Sequence, residues 1–426
     1  MTSPTSAPQE DDDGHLFGDW GGLRPWLTKY GVSLDLKETS EVLGNVTGGS
    51  RTGAIYEGLT DATLTLDFRS GDREPGGVFV AHALQIHGRG LTRSDLSNLD
   101  TASNIEATAT TRLRELWYEQ HIGGWLHVRI GQQSADTEFI VSSGASNFIN
   151  GTFGWPALPA AGLPSGGPAY PLGTPGIRAR VDAFEGLTVL VAAFNGDPAG
   201  RGDGDPQRRD PSGTAFRTSD GILAITEVQY NPAGSSDNAT YKLGAWFNTQ
   251  PFDDLHLDFA GNSLASPASL GRPRSHSGDF SVYGIIDQPL YRGGDNAPAF
   301  DAFLRVMGAP GDRNPIDFYL DGGVTVANPF GREKDTIGLA VAYSRIGSGA
   351  RRLDSDTARF TGQPYPIRSA EILIEATYLI QVLPWWQLQP DLQYVINPGG
   401  GIPNPAQPER LLGDALVLGL RTTITF

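Results

Sequence analysis

Pro384-Trp385-Trp386-Gln387-Leu388-Gln389-Pro390-Asp391-Leu392-Gln393-Tyr394-Val395-Ile396-Asn397-Pro398-Gly399-Gly400 reads with a period of two. Trp386, Leu388, Pro390, Leu392, Tyr394 and Ile396 share one face. Gln387, Gln389, Asp391, Gln393 and Asn397 share the other, with Val395 its lone apolar member. Alternate residues of a strand point to opposite sides of a sheet. A soluble sandwich turns such an apolar face inward, whereas a membrane barrel turns it toward lipid and its polar face toward the lumen.

Composition favours the barrel. Gly 55 and Pro 30 supply many turn formers, and a hydrophobic content of 39% with a mean hydropathy of -0.25 excludes a helical membrane bundle. A spanning helix needs ~20 consecutive apolar residues, and the sequence has no such run. The absence of cysteine suits an exported bacterial protein, and Met1-Thr2-Ser3-Pro4 reads as the start of a mature chain without a signal peptide. A net charge of -16 without a basic stripe disfavours nucleic-acid binding. The acidity reads as solvated loops or as a negatively biased vestibule.

Along the chain, residues 1–15 with Glu10-Asp11-Asp12-Asp13 are expected to be disordered. Residues 16–31 form an N-terminal segment in which Leu23–Tyr30 is expected to be a short helix stopped by Gly31. Sixteen strand candidates fill 32–426: 32–47, 58–69, 77–89, 110–122, 125–138, 176–185, 187–196, 221–231, 239–249, 278–290, 299–308, 315–328, 335–346, 369–383, 385–397 and 414–426. Most have about the 9–11 residues of a tilted barrel strand. Tight turns at Gly123-Gly124, Gly186 and Leu383-Pro384 alternate with long segments at 90–109, 139–175, 197–220, 250–277, 347–368 and 398–413. Short turns at one end and long loops at the other are the habit of outer-membrane barrels. The segments 291–298 and 309–314 break the alternation. The fold expected is therefore all-β, a sixteen-stranded antiparallel transmembrane barrel with short periplasmic turns, long extracellular loops and a short N-terminal helix.

The last strand places Leu416, Leu418, Leu420, Thr422, Ile424 and Phe426 on one face and ends on an aromatic residue. Leu16-Phe17-Gly18-Asp19-Trp20-Gly21-Gly22-Leu23-Arg24, Glu115-Leu116-Trp117-Tyr118-Glu119-Gln120, Arg129-Ile130-Gly131-Gln132, Ala193-Phe194-Asn195-Gly196 and the stretch from Gln389 to Gly400 together resemble the OprB-type carbohydrate-selective porins. The family's fifth-strand motif often carries lysine where Gln132 stands here. The resemblance implies an outer-membrane pore of a Gram-negative bacterium. Mono- and small oligosaccharides would pass through it by diffusion, with no cofactor. It further implies contact with outer-membrane lipid and lipopolysaccharide, recognition of terminal Phe426 by the assembly machinery, and an inward-folding constriction loop at 139–175. It leaves monomer and homotrimer both open.

Strand parity selects the lumen side chains: Arg129 and Gln133 on strand five, Arg178, Arg180 and Asp182 on six, Trp246 on nine, Glu371 and Glu375 on fourteen, and Gln389, Asp391 and Gln393 on fifteen. On strand four, Glu115, Trp117 and Glu119 share one face and Arg112, Arg114, Leu116 and Tyr118 the other. The glutamates are placed inside and the arginines near the outer rim. Guanidinium forks, carboxylates and amides all bond sugar hydroxyls, and Trp117 or Trp246 offers a stacking surface.

Competing readings are a barrel with another cargo (organic acids, amino acids or an exported glycan), a β-rich carbohydrate-binding protein, and a glycoside hydrolase. Hydrolases hold two carboxylates ~5–9.5 Å apart. Glu115/Glu119 and Glu371/Glu375, four residues apart on a strand, lie ~13 Å apart at ~3.3 Å per residue. No catalytic residue is assigned. No metal spacing such as His-Glu-x-x-His occurs, and His82 and His87 read as wall residues. Asp203-Gly204-Asp205 and Asp354-Ser355-Asp356 read as acidic outer loops, with calcium binding left open.

Overall fold

The structure, a computed structural model, describes residues 14–68, 76–232, 238–294, 297–404 and 407–426. Disorder expected for 1–15 thus falls almost wholly outside the described residues. The strands are β1 (Val32–Gly49), β2 (Gly53–Asp67), β3 (Gly77–Gly88), β4 (Thr110–Ile122), β5 (Leu126–Gln133), β6 (Thr174–Phe184), β7 (Leu187–Asn195), β8 (Ile222–Tyr230), β9 (Thr240–Asp258), β10 (Pro273–Arg292), β11 (Ala299–Gly308), β12 (Ile316–Ala327), β13 (Thr336–Ile346), β14 (Ala370–Leu383), β15 (Trp386–Ile396), β16 (Pro403–Asn404), β17 (Gln407–Leu411) and β18 (Gly413–Thr425). Strands β16 and β17 form a small separate hairpin, and the other sixteen close an antiparallel barrel through β1 and β18.

All sixteen expected strands are present, with the larger end shifts in four of them. Strand β2 starts at Gly53 rather than 58, leaving only 50–52 as the first outer connection. Strands β9 and β10 run on to Asp258 and back from Pro273, with a register shift at Gly278, whose φ of 84° suits glycine alone. Strand β5 stops at Gln133 rather than 138, because Glu115 on β4 accepts the Ser134 N–H at 2.9 Å and the chain turns into the barrel.

On β15, Gln389, Asp391, Gln393 and Val395 are buried while Leu392 and Tyr394 are exposed. The polar face points inward and the apolar face outward. Leu243, Phe247, Val282, Leu304, Leu339, Leu418 and Leu420 continue the outward apolar surface around the wall.

Strands β1–β3 carry polar groups on this outward face. Glu38 accepts from Thr60 Oγ1 at 2.5 Å, and Tyr56 OH lies 3.0 Å from His87 Nε2 and 3.0 Å from Ser40 Oγ. His87 Nδ1 lies 3.1 Å from Gln85 Oε1. Their strand neighbours Glu41, Glu57 and His82 point inward and are buried.

At the turn end, helix α1 (Leu23–Lys29) lies against the closing seam. Arg24 Nη2 donates to the Phe426 carbonyl at 2.6 Å and Nη1 to the Leu34 carbonyl at 3.2 Å. The Phe17 and Phe426 rings sit 5.5 Å apart.

The interior is filled from the loop end. Residues 134–173 fold back against the inner wall and bury Phe139, Ile140, Phe148, Phe153 and Leu158. The Phe148, Phe153 and Phe303 rings pack at centroid separations of 4.9, 5.8 and 6.3 Å. Wall side chains hold this loop by its backbone. Glu375 accepts from the Ile149 and Asn150 N–H groups at 2.6 and 3.0 Å, and Glu227 from Ile140 N–H at 2.8 Å. Arg305 donates to the carbonyls of Ile140 and Thr152 at 3.1 and 3.0 Å. Residues 89–109 are held likewise: Glu371 takes the Leu99 and Asp100 N–H groups, each at 2.8 Å, and Gln393 donates to the Ala102 carbonyl at 2.9 Å.

Buried N–H groups that lose their acceptor cost about 1–3 kcal/mol each. Glu375→Ala is therefore expected to keep the barrel, seen as an unchanged heat-modifiable gel mobility. It should speed chymotryptic cleavage near Phe148 and Phe153 by roughly tenfold, since ~1.4 kcal/mol is a factor of ten. Equal cleavage rates in variant and wild type would show that Glu375 does not anchor the loop.

Candidate functional site: a polar belt on strands four to six

Strand β4 carries an extra residue relative to β3. His82 pairs with Glu115 but Ala83 pairs with Leu113, so Arg114 is a bulge. This settles which face of β4 turns inward. Below the bulge Glu115, Trp117 and Glu119 face inward; above it the parity changes and Arg112 does too. Arg114 bonds Asp136 at 2.8 and 2.9 Å, and Arg112 donates to the carbonyls of Gln207 and Asp210 at 2.9 and 2.6 Å. Both arginines thus serve to tie loops to the wall. Gln132 donates to the carbonyls of Leu113 and Gly213 at 3.1 and 2.8 Å and braces the same bulge.

Below it lies a quartet of charges. Arg178 Nη2 meets Glu119 Oε2 and Glu138 Oε1, each at 2.6 Å. Arg129 Nη2 meets the same two carboxylates at 3.1 and 3.3 Å. The Arg129 guanidinium also lies 3.7 Å from the centroid of the Trp117 ring. Two positive and two negative groups cancel, so the cluster is polar without net charge. Glu119, Arg129 and Glu138 keep 12%, 12% and 21% of their side-chain surface open. Next along the wall toward the turn end come His121, His127, Asp182 and Arg180. Arg180 bonds Asp182 at 3.0 Å, and the two keep 47% and 33% open.

The residues selected by parity therefore divide. Trp117, Glu119, Arg129, Arg178, Arg180 and Asp182 gather on β4–β6. Glu115 sits deeper, with its Oε2 3.7 Å from His82. Gln133 donates to the Gly176 carbonyl at 2.8 Å. Glu371 and Glu375 are fully buried loop anchors. Gln389 holds the Asn147 carbonyl at 2.9 Å, and Gln393 bonds Asp391 at 2.9 Å besides its loop contact. Trp246 is 2% exposed within the apolar cluster, out of reach of a passing solute. Glu138 was missed, because sequence reading placed it at the end of strand five. No local signal distinguished it from a wall residue.

Comparison with known proteins agrees with this architecture. Residues 51–426 match the model of a family described as carbohydrate-selective porins, the OprB family. Porin B of Pseudomonas aeruginosa is 24% identical over 424 residues, spanning 90% of this chain and 87% of the relative. The high-pH structure of Pseudomonas putida OprB superposes with a TM-score of 0.86 at 23% identity, covering 97% of this chain and 99% of that one. The low-pH structure of the same protein gives a TM-score of 0.57 at 18% identity over the same shares. With its closed sixteen-stranded wall, its inward polar face and this match over most of its length, the chain belongs to the OprB family of carbohydrate-selective porins of the outer membrane.

Proposed function

We propose that sugars are selected at the Glu119–Glu138–Arg129–Arg178 quartet beside Trp117, where residues 134–173 narrow the lumen. The observation that carries this reading is the balanced quartet itself. A neutral solute gains nothing from a net field, whereas hydroxyl groups exchange hydrogen bonds with guanidinium and carboxylate alike. Each charge keeps a partner while the solute passes, so binding stays weak enough for release, as conduction requires. The Trp117 indole offers an apolar face, with Arg129 across it. Gln389 acts from the opposite wall by holding the Asn147 carbonyl of the loop, and Asp391 accepts from its wall neighbour Gln393. Mono- and small oligosaccharides are the solutes proposed, moving passively.

In planar bilayers, glucose and maltooligosaccharides are expected to reduce the single-channel current of the wild type. Arg129→Ala should weaken that block about tenfold, corresponding to ~1.4 kcal/mol, and raise the open conductance. Glu119→Gln leaves the quartet with one excess positive charge and should shift reversal potentials toward anion selectivity. Unchanged sugar block in Arg129→Ala and in Glu138→Gln would remove the quartet from the selective site.

For assembly, we infer that a second copy covers the outward polar face of β1–β3. A charged side chain on the lipid face is destabilising at mid-membrane, by about 2–4 kcal/mol for lysine or arginine and by less for a carboxylate. Glu38 and His87 lie side by side there, 3.5 Å apart, and a second copy seated on this face would take both out of contact with lipid. Phe426, held by Arg24 and Phe17, is proposed as the assembly signal, and lipopolysaccharide as the neighbour of the remaining apolar wall. Light scattering in mild detergent is expected to show an oligomer that Glu38→Leu with His87→Leu converts to monomer. A monomeric wild type would sink this assembly.

A further inference from the structure

We propose that Glu119, His121 and His127, with Asp182 beside them, form a site for a divalent transition-metal ion on the lumen wall. His121 and His127 stand directly opposite each other across the β4–β5 hairpin. Their ring centroids are 4.3 Å apart and the rings are nearly perpendicular, at 77°. His121 Nε2 lies 3.0 Å from Glu119 Oε1, and His127 Nε2 lies 3.3 Å from Asp182 Oδ2. One ligand atom each from Glu119, His121 and His127 falls within 4.8 Å of the others. Ligands at ~2.0–2.2 Å from a tetrahedral zinc ion stand roughly 3.3 Å apart, so side-chain rotations of the order of an ångström would close the set.

The donor chemistry names the class of ion. Two imidazoles and a carboxylate suit Zn²⁺, Cu²⁺ or Ni²⁺. Ca²⁺ and Mg²⁺ take oxygen ligands, and a soft-ion site would need thiols, of which the chain has none. Glu119 divides its two oxygens in a way that fits ligation. Oε2 is held by Arg129 and Arg178 at 3.1 and 2.6 Å, leaving Oε1 toward His121. Arginines on the far oxygen then orient the ligating carboxylate, as outer partners do in established metal sites. His121 and His127 keep 21% and 18% of their side chains open, so an ion enters from the lumen and water completes its coordination. Other histidines lack this arrangement. His82 lies between Asp61 and Glu115, His256 bonds Asp356 at 2.8 Å, and His276 bonds Asp254 at 2.9 Å with Asp312 at 3.7 Å. Among the described residues, Glu119, His121 and His127 are the group with metal-ligand convergence.

A bound ion adds two positive charges beside the quartet and engages one of its carboxylates. Occupancy is therefore expected to lower sugar flux and favour anions. This consequence rests on the sugar reading of the quartet, whereas binding itself does not.

The test uses ZnCl₂ titrated calorimetrically into the full chain in detergent. The wild type is expected to bind about one equivalent with micromolar affinity. His121→Ala with His127→Ala should weaken binding at least about tenfold, while His256→Ala leaves it unchanged, gel mobility reporting that each barrel is folded. Cu²⁺ substituted for zinc should show nitrogen coupling by electron paramagnetic resonance, lost in the double variant. Zinc binding that is absent, or identical in the double variant, overturns the site. Failure of the sugar reading is distinct: zinc then still binds, while sugar block is indifferent to both Arg129→Ala and zinc.

Discussion

No backbone amide can be left unpaired in hydrocarbon, and closure of the sheet is what satisfies this condition. The register of β1 against β18, from Lys37 with Thr425 to Gly49 with Gly413, removes the last two edges. Everything else depends on that closure. It converts a period-two pattern into a lipid-facing skin and an enclosed polar interior. It also brings the N-terminal segment to the final strand, where Arg24 and Phe17 cover the seam at Phe426.

An enclosed interior imposes its own demand. Buried carboxylates must be bonded, and buried backbone must find partners. The barrel meets both needs with the same contacts: Glu227, Glu371 and Glu375 accept N–H groups from the loops that enter it. The apolar contacts of Phe148 and Phe153 with Phe303 supply the hydrophobic part of the fit. Loops and wall on the β8–β15 side thus form one packed body. Solvent reaches the β4–β6 side, where Glu119, Arg129 and Glu138 keep part of their surface free around a buried Arg178.

That asymmetry connects structure to transport. Arg129 and Arg178 share two carboxylates, one from the wall and one from the loop, so loop position and pore electrostatics are coupled through Glu138. The neighbouring histidine pair lies within the same network, through the second oxygen of Glu119.

Alternation along single strands was enough to locate sixteen strands and to tell inward residues from outward ones. It is a local property, imposed by the pleat on every residue in turn. Even so, β4 was ambiguous, because a bulge at Arg114 changes the parity midway and leaves no distinctive residue behind. Parity likewise gave Glu119 and Glu375 the same reading. Only the folded chain separates them, by placing Ile149 N–H against Glu375, 226 residues away in sequence, and two arginines against Glu119. Glu138 meets Arg129 and Arg178 for the same reason. Sequence alone determined the barrel and its two faces, since each residue's facing follows from its own strand. Tertiary structure decided which inward charges anchor loops and which remain beside the passage, since a charge acquires its role from partners that only closure and loop entry bring to it.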